Sequence, residues 1–137
     1  MSEMPTIESV MIDAPISIDI ADPVRVAQDT MIDHEIRHLP VLDGERLVGI
    51  ITDRDVAILE TDPEWERRAA KLQVRDICAL DFYAVEPDVP LDEVLIEMAE
   101  RRIGSAIVTR KGEIAGLFTA TDACRCFAEH LRTCNHG

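Results

Sequence analysis

The chain runs through strand-like and helix-like apolar patterns twice, in the same order each time. Apolar and polar residues alternate over residues 16–20 (ISIDI) and again over residues 82–86 (FYAVE), which predicts a strand at each place. A helical pattern follows Pro23 and Pro90, and Asp22 is placed to cap the first of these helices. The apolar positions predicted to face the core are Val24, Ala27, Met31, Leu91, Val94, Leu95 and Met98.

Two further apolar runs come next in each copy, joined by a short turn sequence. HLPVL and RLVGIIT are joined through Asp-Gly-Glu, and SAIVT and EIAGLF through Arg-Lys-Gly, so each pair predicts a tight hairpin. Each hairpin leads into a helix that starts near Asp53 or Ala120. Each copy is therefore predicted to be strand, helix, strand, strand, helix.

Between the copies, a helix is predicted to start at Asp62 and Pro63, and Trp65 is expected to pack it onto one copy.

A single shift of 67 residues superimposes the two copies without a gap. It places Thr119 on Thr52 and Asp122 on Asp55, because 119 − 52 and 122 − 55 are both 67. The same shift gives the pairs Gly49 and Gly116, Val41 and Val108, Ile36 and Ile103, Met31 and Met98, and Pro23 and Pro90. The chain is thus predicted to be two copies of one structural unit.

The predicted domains are residues 7–60 and residues 74–133, joined by a connecting helix or linker over residues 61–73. A unit of about 50 residues buries too little surface to be stable alone. We therefore expect the two units to pack sheet against sheet around a pseudo-twofold axis, as an α+β fold with paired clefts.

The composition limits the partners that this chain can bind. Lys and Arg number 14 against 27 Asp and Glu, and the resulting formal charge of -13 repels phosphate backbones and anionic lipid. No apolar run approaches the roughly 18 to 20 residues of a membrane span, and residues 1–15 do not resemble a signal peptide. We predict a cytoplasmic protein with reduced cysteines that binds neither nucleic acid nor membranes.

The repeated Thr-x-x-Asp motif, Thr52 with Asp55 and Thr119 with Asp122, lies where a strand gives way to a helix. Its plainest interpretation is a capping box, in which the threonine caps the third backbone N–H. The same geometry also suits a nucleoside, because the helix start faces an anion and the carboxylate can accept hydrogen bonds from a vicinal diol such as ribose. The glycines of GII and GLF would allow close approach, and the apolar residues after them could sandwich a purine. The spacing alone leaves both interpretations open.

The duplicated unit resembles a tandem pair of CBS domains, a Bateman module, over nearly all of residues 7–133. The resemblance rests on IRHLPVLDGERLVGIITDRDV in copy one and RIGSAIVTRKGEIAGLFTATDA in copy two. Copy two departs from copy one at Ile107, which replaces Pro40, and at Arg110, which replaces Asp43. The resemblance implies β-α-β-β-α units whose three-stranded sheets pack against each other with flanking helices.

What the resemblance implies for function is a regulatory module that binds AMP, ADP, ATP or S-adenosylmethionine, with no catalytic cofactor and no chemistry of its own. Thr52 and Thr119 would contact phosphate or ribose, and Asp55 and Asp122 would contact ribose hydroxyls. The resemblance also implies a homodimer that stacks through its helices. Occupancy, as in energy sensing, would be signalled to a separate protein partner.

Copy one carries the cations that an acidic protein needs locally to hold phosphate. Arg54 lies inside its motif, and Arg37 and His38 start its hairpin. The matching residues of copy two are Thr121, Gly104 and Ser105. We therefore hypothesise that copy one holds the main nucleotide-phosphate site and that copy two binds a less charged adenosyl ligand or none. The alternative is that Arg37 and Arg54 are solvated surface charges.

The C-terminal segment CRCFAEHLRTCNHG is a second candidate for chemistry. Its thiols and imidazoles are Cys124, Cys126, His130, Cys134 and His136. One tetrahedral metal site would require the helix to break, because Cys124 and Cys126 point to nearly opposite sides, so no metal is expected. Cysteines on a packing face are favoured over a redox-responsive thiol whose pKa is lowered by a neighbouring arginine, Arg125 or Arg132.

No nucleophile or general base accompanies the histidines in a recognisable arrangement, so an enzyme is the least favoured class. The sequence predicts a stand-alone CBS-domain pair that binds an adenosyl ligand. Two rival classes stay open. One is a structural or dimerisation scaffold with empty clefts, and the other is a redox or metal sensor that works through the C-terminal cysteines.

Overall fold

A computed structural model describes residues 4–135 of the chain. The strands are β1 (Ile12–Asp13), β2 (Ile18–Asp19), β3 (His38–Asp43), β4 (Arg46–Thr52), β5 (Ala84–Val85), β6 (Ser105–Arg110) and β7 (Glu113–Thr119). The α-helices are α1 (Val24–Asp33), α2 (Asp53–Glu60), α3 (Trp65–Ala69), α4 (Leu91–Arg101) and α5 (Ala120–Cys134). Short 3₁₀ helices span Ile7–Ser9 and Val74–Asp76. The α+β fold class is confirmed.

One compact unit comprises Pro15–Phe82 and is built on a three-stranded sheet in the order β2-β3-β4. β2 runs parallel to β3, and β3 is antiparallel to β4. Its buried core consists of Ile18, Val24, Ala27, Met31, Leu39, Val41, Ile51, Val56 and Val74. Trp65 packs against this core, so α3 attaches to copy one.

The second compact unit joins the residues up to Ala14 with those from Tyr83 onward. Its sheet has four strands in the order β1-β7-β6-β5. Its buried core consists of Ile7, Val85, Leu91, Val94, Met98, Ala106, Val108 and Phe118. The β6–β7 ladder repeats the register of β3–β4, and both ladders shift register at equivalent points, directly after Val41 and directly after Val108. The repeat therefore extends to local irregularities.

The opening segments of the two sequence copies are exchanged between the compact units. Ile12 of β1 pairs with Leu117 of β7, in the second copy. Ala79, which the 67-residue shift places on Ile12, instead pairs with Ile50 of β4 through backbone hydrogen bonds of 2.8 and 2.9 Å. Residues 7–14, which begin copy one in the sequence, thus complete the sheet of copy two, and residues 74–80 complete copy one. The compact units therefore do not follow the sequence repeat.

The predicted core faces of the first helix in each copy are confirmed. Six of the seven predicted positions are buried, and Leu95 is half-buried against the same core. The predicted strands over residues 16–20 and 82–86 shorten to β2 and β5, of two residues each. Both lie at the end of a sheet, where only one neighbouring strand is available for pairing.

Two predicted helix starts were misplaced. α1 begins after Pro23 rather than after Asp22, whose carboxylate accepts the backbone N–H of Asp19 at 3.2 Å. The connecting helix begins at Trp65, because Asp62 forms a turn ahead of it by accepting a backbone N–H at 2.9 Å. In both places the aspartate side chain bonds within a turn, which competes with helix capping.

The two repeated glycines lie where an exchanged segment meets a sheet, and they provide a matched test. A Cβ on Gly49 would lie 2.7 Å from the carbonyl oxygen of Ala79, whereas one on Gly116 would meet the flexible side chain of Met11. The carbonyl is held by its hydrogen bond from Ile50, but Met11 can rotate away. We expect Gly49→Ala to lower the free energy of unfolding by about 1–3 kcal/mol and Gly116→Ala to cost less, as measured by urea denaturation. Equal costs would contradict this difference.

Candidate functional site

Both Thr-x-x-Asp motifs form capping boxes, as the sequence indicated. The backbone N–H and the hydroxyl of Thr52 donate to Oδ2 of Asp55 at 2.9 and 3.1 Å, and the Asp55 N–H donates to Thr52 Oγ1 at 3.3 Å. Thr119 and Asp122 repeat this arrangement at 2.9, 3.0 and 3.4 Å. In each motif the threonine hydroxyl proton is therefore directed to the aspartate.

The second carboxylate oxygen distinguishes the two copies. Oδ1 of Asp122 lies 3.3 Å from Nη1 of Arg125, and Asp122 is buried. Asp55 is half-buried, and its Oδ1 has no polar partner among residues 4–135. Arg125 was not among the predicted site residues, although its spacing of three residues from Asp122 on one helix is a recognisable ion-pair signal. Of the two motif carboxylates, only that of Asp55 thus has an open oxygen, meaning one without a polar partner in the described part of the chain.

The cationic residues predicted for copy one lie beside its motif. His38 is opposite Thr52 in the β3–β4 ladder, and the carbonyl of Arg37 accepts the N–H of Asp53 at 3.0 Å. Nε of Arg37 is 4.0 Å from Oδ2 of Asp53, and both side chains are largely exposed, so this ion pair is weak. Arg54 is exposed in the first turn of α2. The structure therefore brings all five predicted residues of copy one to one end of its sheet.

The equivalent place in copy two is less cationic. Ser105 is opposite Thr119, and the carbonyl of Gly104 accepts the Ala120 N–H at 2.9 Å. The guanidinium of Arg125 lies here, but it is already paired with Asp122. Phosphate would therefore have to compete with a carboxylate for this cation.

The sequence predicted that the two glycines would allow a ligand to approach closely, but other parts of the chain occupy the space beside them. The space beside Gly49 is occupied by Ala79 and that beside Gly116 by Met11. The apolar residues that follow these glycines are also buried, namely Ile50, Ile51, Leu117 and Phe118. The glycines serve close packing of the exchanged segments, and a purine would need other walls.

A shallow cavity of about 380 Å³ lies along α3 and contains neither motif. It is lined by Glu64, Arg67, Arg68, Lys71 and Leu72. Arg67 pairs with Glu64 at 2.9 Å and Arg68 with Asp62 at 3.1 Å, so two of its three cations are already matched by carboxylates.

The four thiols divide by burial. Cys78 and Cys126 are half-buried against the cores, whereas Cys124 and Cys134 are exposed and pack against neither core. Burial raises the pKa of Cys78 and of Cys126. At Cys126 nearby carboxylates raise the pKa further, and Arg125 opposes them only in part. Arg125 thus acts on the Cys126 thiol in the direction hypothesised, but the net shift of the pKa is upward.

The metal-ligand candidates at the C-terminus do not converge. Sγ of Cys134 lies 3.5 Å from Nε2 of His130, and His136 is outside the described residues. Within residues 4–135, no group of three or more His, Cys, Asp or Glu side chains is arranged to hold a metal ion. The helices in that part of the chain are too short or too polar to cross a bilayer.

The raised pKa values predict slow thiol chemistry at two positions. In a Cys124→Ser/Cys134→Ser background, we expect Cys78 and Cys126 to react with iodoacetamide at pH 8 at least several-fold more slowly than in urea, because less thiolate is present. The same shifts make the free energy of unfolding fall as the pH rises above about 8.5, the pKa of an unfolded thiol. Equal rates in the folded and unfolded states would contradict the prediction.

Known proteins similar to this chain share both copies. The CBS domain family model matches residues 7–60 and 74–129. Inosine-5'-monophosphate dehydrogenase from Korarchaeum cryptofilum is 36% identical over 116 residues, which are 84% of this chain and 23% of the enzyme. Hypoxic response protein 1 from Mycobacterium tuberculosis is 29% identical over 112 residues, which are 80% of this chain and 76% of that protein. The chain thus spans less than a quarter of the dehydrogenase that it matches.

Solved structures share the fold. The CBS domain pair of protein MJ0100, in complex with 5′-methylthioadenosine and S-adenosyl-L-methionine, has a TM-score of 0.83 and 25% sequence identity. The match covers 93% of this chain and 99% of that chain. The predicted fold of two repeated units is confirmed over nearly the whole length.

Proposed function

Because this chain belongs to the CBS domain family, we propose that it is a regulatory module that binds an adenosine-containing ligand and signals occupancy to a separate protein. The observation that carries this proposal is the open carboxylate oxygen of Asp55 beside Arg37, His38 and Arg54. A similar domain pair binds 5′-methylthioadenosine and S-adenosyl-L-methionine. The dehydrogenase match covers only 23% of that enzyme, so we carry over no catalytic activity.

The capping box determines which ribose contacts are available. Oδ1 of Asp55 can accept hydrogen bonds from ribose hydroxyls while Oδ2 continues to cap α2. Thr52 Oγ1 donates its proton to Asp55 but keeps a lone pair, so it can accept a further ribose hydroxyl. Donation from Thr52 to phosphate would break the hydroxyl bond to Asp55, although both bonds of the capping box would remain. We therefore propose that Thr52 contacts ribose rather than phosphate.

The phosphate end of the ligand would bind to the cations of copy one. Arg37 holds Asp53 only at 4.0 Å and in solvent, so a phosphate can replace that partner at low cost. Arg54 and His38 lie on the same end of the sheet. In copy two, Arg125 covers Asp122, and we propose that this motif binds a ligand of lower charge or none.

The regulatory effect would follow from differential affinity. A ligand can favour one conformation over another only by the difference between its affinities for the two. We further propose that the chain works as a homodimer in the cytoplasm, in keeping with its CBS pair.

A thermal-shift panel tests the ligand proposal. AMP, ADP, ATP, NAD, S-adenosylmethionine and cyclic dinucleotides are compared with GMP, which matches AMP in charge and ribose. At 100- to 1,000-fold above the dissociation constant, binding stabilises a protein by about 2.7 to 4.1 kcal/mol. We expect a shift with at least one adenosine compound. No shift with any compound would favour the scaffold, and a response to metal or oxidation alone would favour the sensor.

A further inference from the structure

One side of α5 is apolar and carries two of the four thiols. Ala120, Cys124, Phe127, Leu131 and Cys134 recur at alternating spacings of four and three residues, which places them on one stripe. We call these five residues the α5 strip. Phe127 is 61% and Leu131 51% exposed, and every described residue from Phe127 onward is exposed. Within the described chain, the strip thus has no covering element over its second half.

The charges of α5 avoid the strip. Arg125, Glu129 and Arg132 lie roughly 120° or more around the helix axis from the midline of the strip, at 3.6 residues per turn. Copies of a chain with a formal charge of -13 repel each other. A face without carboxylates is where a second copy can approach with the least repulsion.

The α5 strip is symmetric about Glu129. Phe127 and Leu131 lie two residues to either side of it, and Cys124 and Cys134 lie five residues to either side. A twofold axis at the level of Glu129 pairs each residue that precedes Glu129 with the residue of the second copy that follows Glu129 by the same number of positions. Antiparallel packing of two strips would place Phe127 against Leu131 of the second copy. It would also place Cys124 opposite Cys134 of the second copy, on both sides of the axis.

The spacing of packed helices suits a bond between these thiols. Helix axes pack about 8 to 10 Å apart, and Cα atoms lie about 2.3 Å from each axis. Facing Cα atoms are then roughly 3.4 to 5.4 Å apart, which overlaps the range of about 4.4 to 6.8 Å found in disulfides. A stable interface buries at least roughly 1,200 Å², and a covalent link would strengthen a smaller contact.

We propose that two copies pack through the α5 strip in antiparallel orientation and that a disulfide oxidant joins Cys124 of each copy to Cys134 of the other. This inference rests on the homodimer proposed above and is independent of nucleotide binding. The thiolate of one cysteine attacks oxidised glutathione and releases one glutathione thiolate. The facing cysteine, as its thiolate, then attacks the mixed disulfide and releases the second. Each bond thus consumes two thiols and one oxidised glutathione and yields two reduced glutathiones.

The test is oxidation of the full chain with oxidised glutathione, followed by non-reducing electrophoresis, intact mass and disulfide mapping. We expect a covalent dimer that has lost four hydrogens relative to two reduced chains, with Cys124–Cys134 as its linkage. Cys124→Ser and Cys134→Ser should each abolish the dimer, because every bond needs one thiol of each kind. Cys126→Ser, on the packed side of α5, should leave it unchanged.

A mixture of the two single variants makes the test specific. Cys124→Ser and Cys134→Ser should not form covalent dimers separately, but mixed they should form a heterodimer with a single disulfide. Phe127→Glu should reduce the yield of wild-type dimer at least several-fold, because it places a carboxylate on the strip. Like-to-like linkages, a dimer through Cys78, or no covalent dimer would each overturn the proposal. A reduced protein that is dimeric by light scattering but gives no Cys124–Cys134 bond would overturn the α5 strip while leaving the homodimer intact.

Discussion

Asp55→Asn is expected to weaken AMP binding by about 10- to 100-fold while leaving α2 capped. The asparagine side-chain oxygen can still accept the Thr52 N–H, but its amide group replaces the open Oδ1 and cannot accept a ribose hydroxyl. Loss of hydrogen bonds to a charged group costs about 1.5 to 3 kcal/mol, which gives this range. Isothermal titration with AMP measures the affinity, and the melting temperature without ligand checks the fold.

The repeat supplies a matched control for this variant. Asp122→Asn changes the equivalent residue of copy two, whose Oδ1 is already engaged by Arg125. If copy one holds the main site, Asp122→Asn should change AMP affinity less than Asp55→Asn. Equal losses would show that both motifs contribute alike.

Arg54→Ala examines the phosphate contact separately, and unchanged AMP affinity in that variant would contradict the role proposed for Arg54.

Phe118→Ala is expected to give the largest loss of stability, about 3 to 5 kcal/mol. Phe118 is fully buried in β7, an interior strand of the four-stranded sheet, and it contacts the core that contains Ile7 and Val94. Truncation removes the apolar contacts of the ring and leaves a cavity that the surrounding backbone cannot fill. Because whole domains are stable by only about 5 to 15 kcal/mol, the variant should unfold at much lower urea concentration.

The control for this prediction is an exposed apolar residue. Leu80 is 70% exposed, so Leu80→Ala should change the free energy of unfolding by no more than about 0.5 kcal/mol. Urea denaturation followed by circular dichroism compares both variants with wild type. A cost below about 1 kcal/mol for Phe118→Ala would mean that this core relaxes around the missing ring far more than usual.

Much of the candidate site could be predicted because its chemistry is local. The capping boxes depend on residues three positions apart, and such a spacing can be recognised in the sequence without a structure. Only part of the difference between the two motifs could be predicted from the sequence. The lack of cations in copy two is visible in the residues, but the ion pair of Arg125 with Asp122 depends on a side-chain conformation.

The sequence by itself determined the repeat, its 67-residue shift, the core faces of the helices and the positions of the hairpins, because apolar periodicity and turn residues encode these directly. Only the tertiary structure decided which sheet each opening segment joins. β1 pairs with β7 and Ala79 with β4, although the order of the chain suggests the reverse. The two units share the same order of apolar runs and the same ladder register, so the pattern cannot distinguish the exchanged pairing from the direct one. The pairing is set by long-range backbone hydrogen bonds and by the close approach that Gly49 and Gly116 permit.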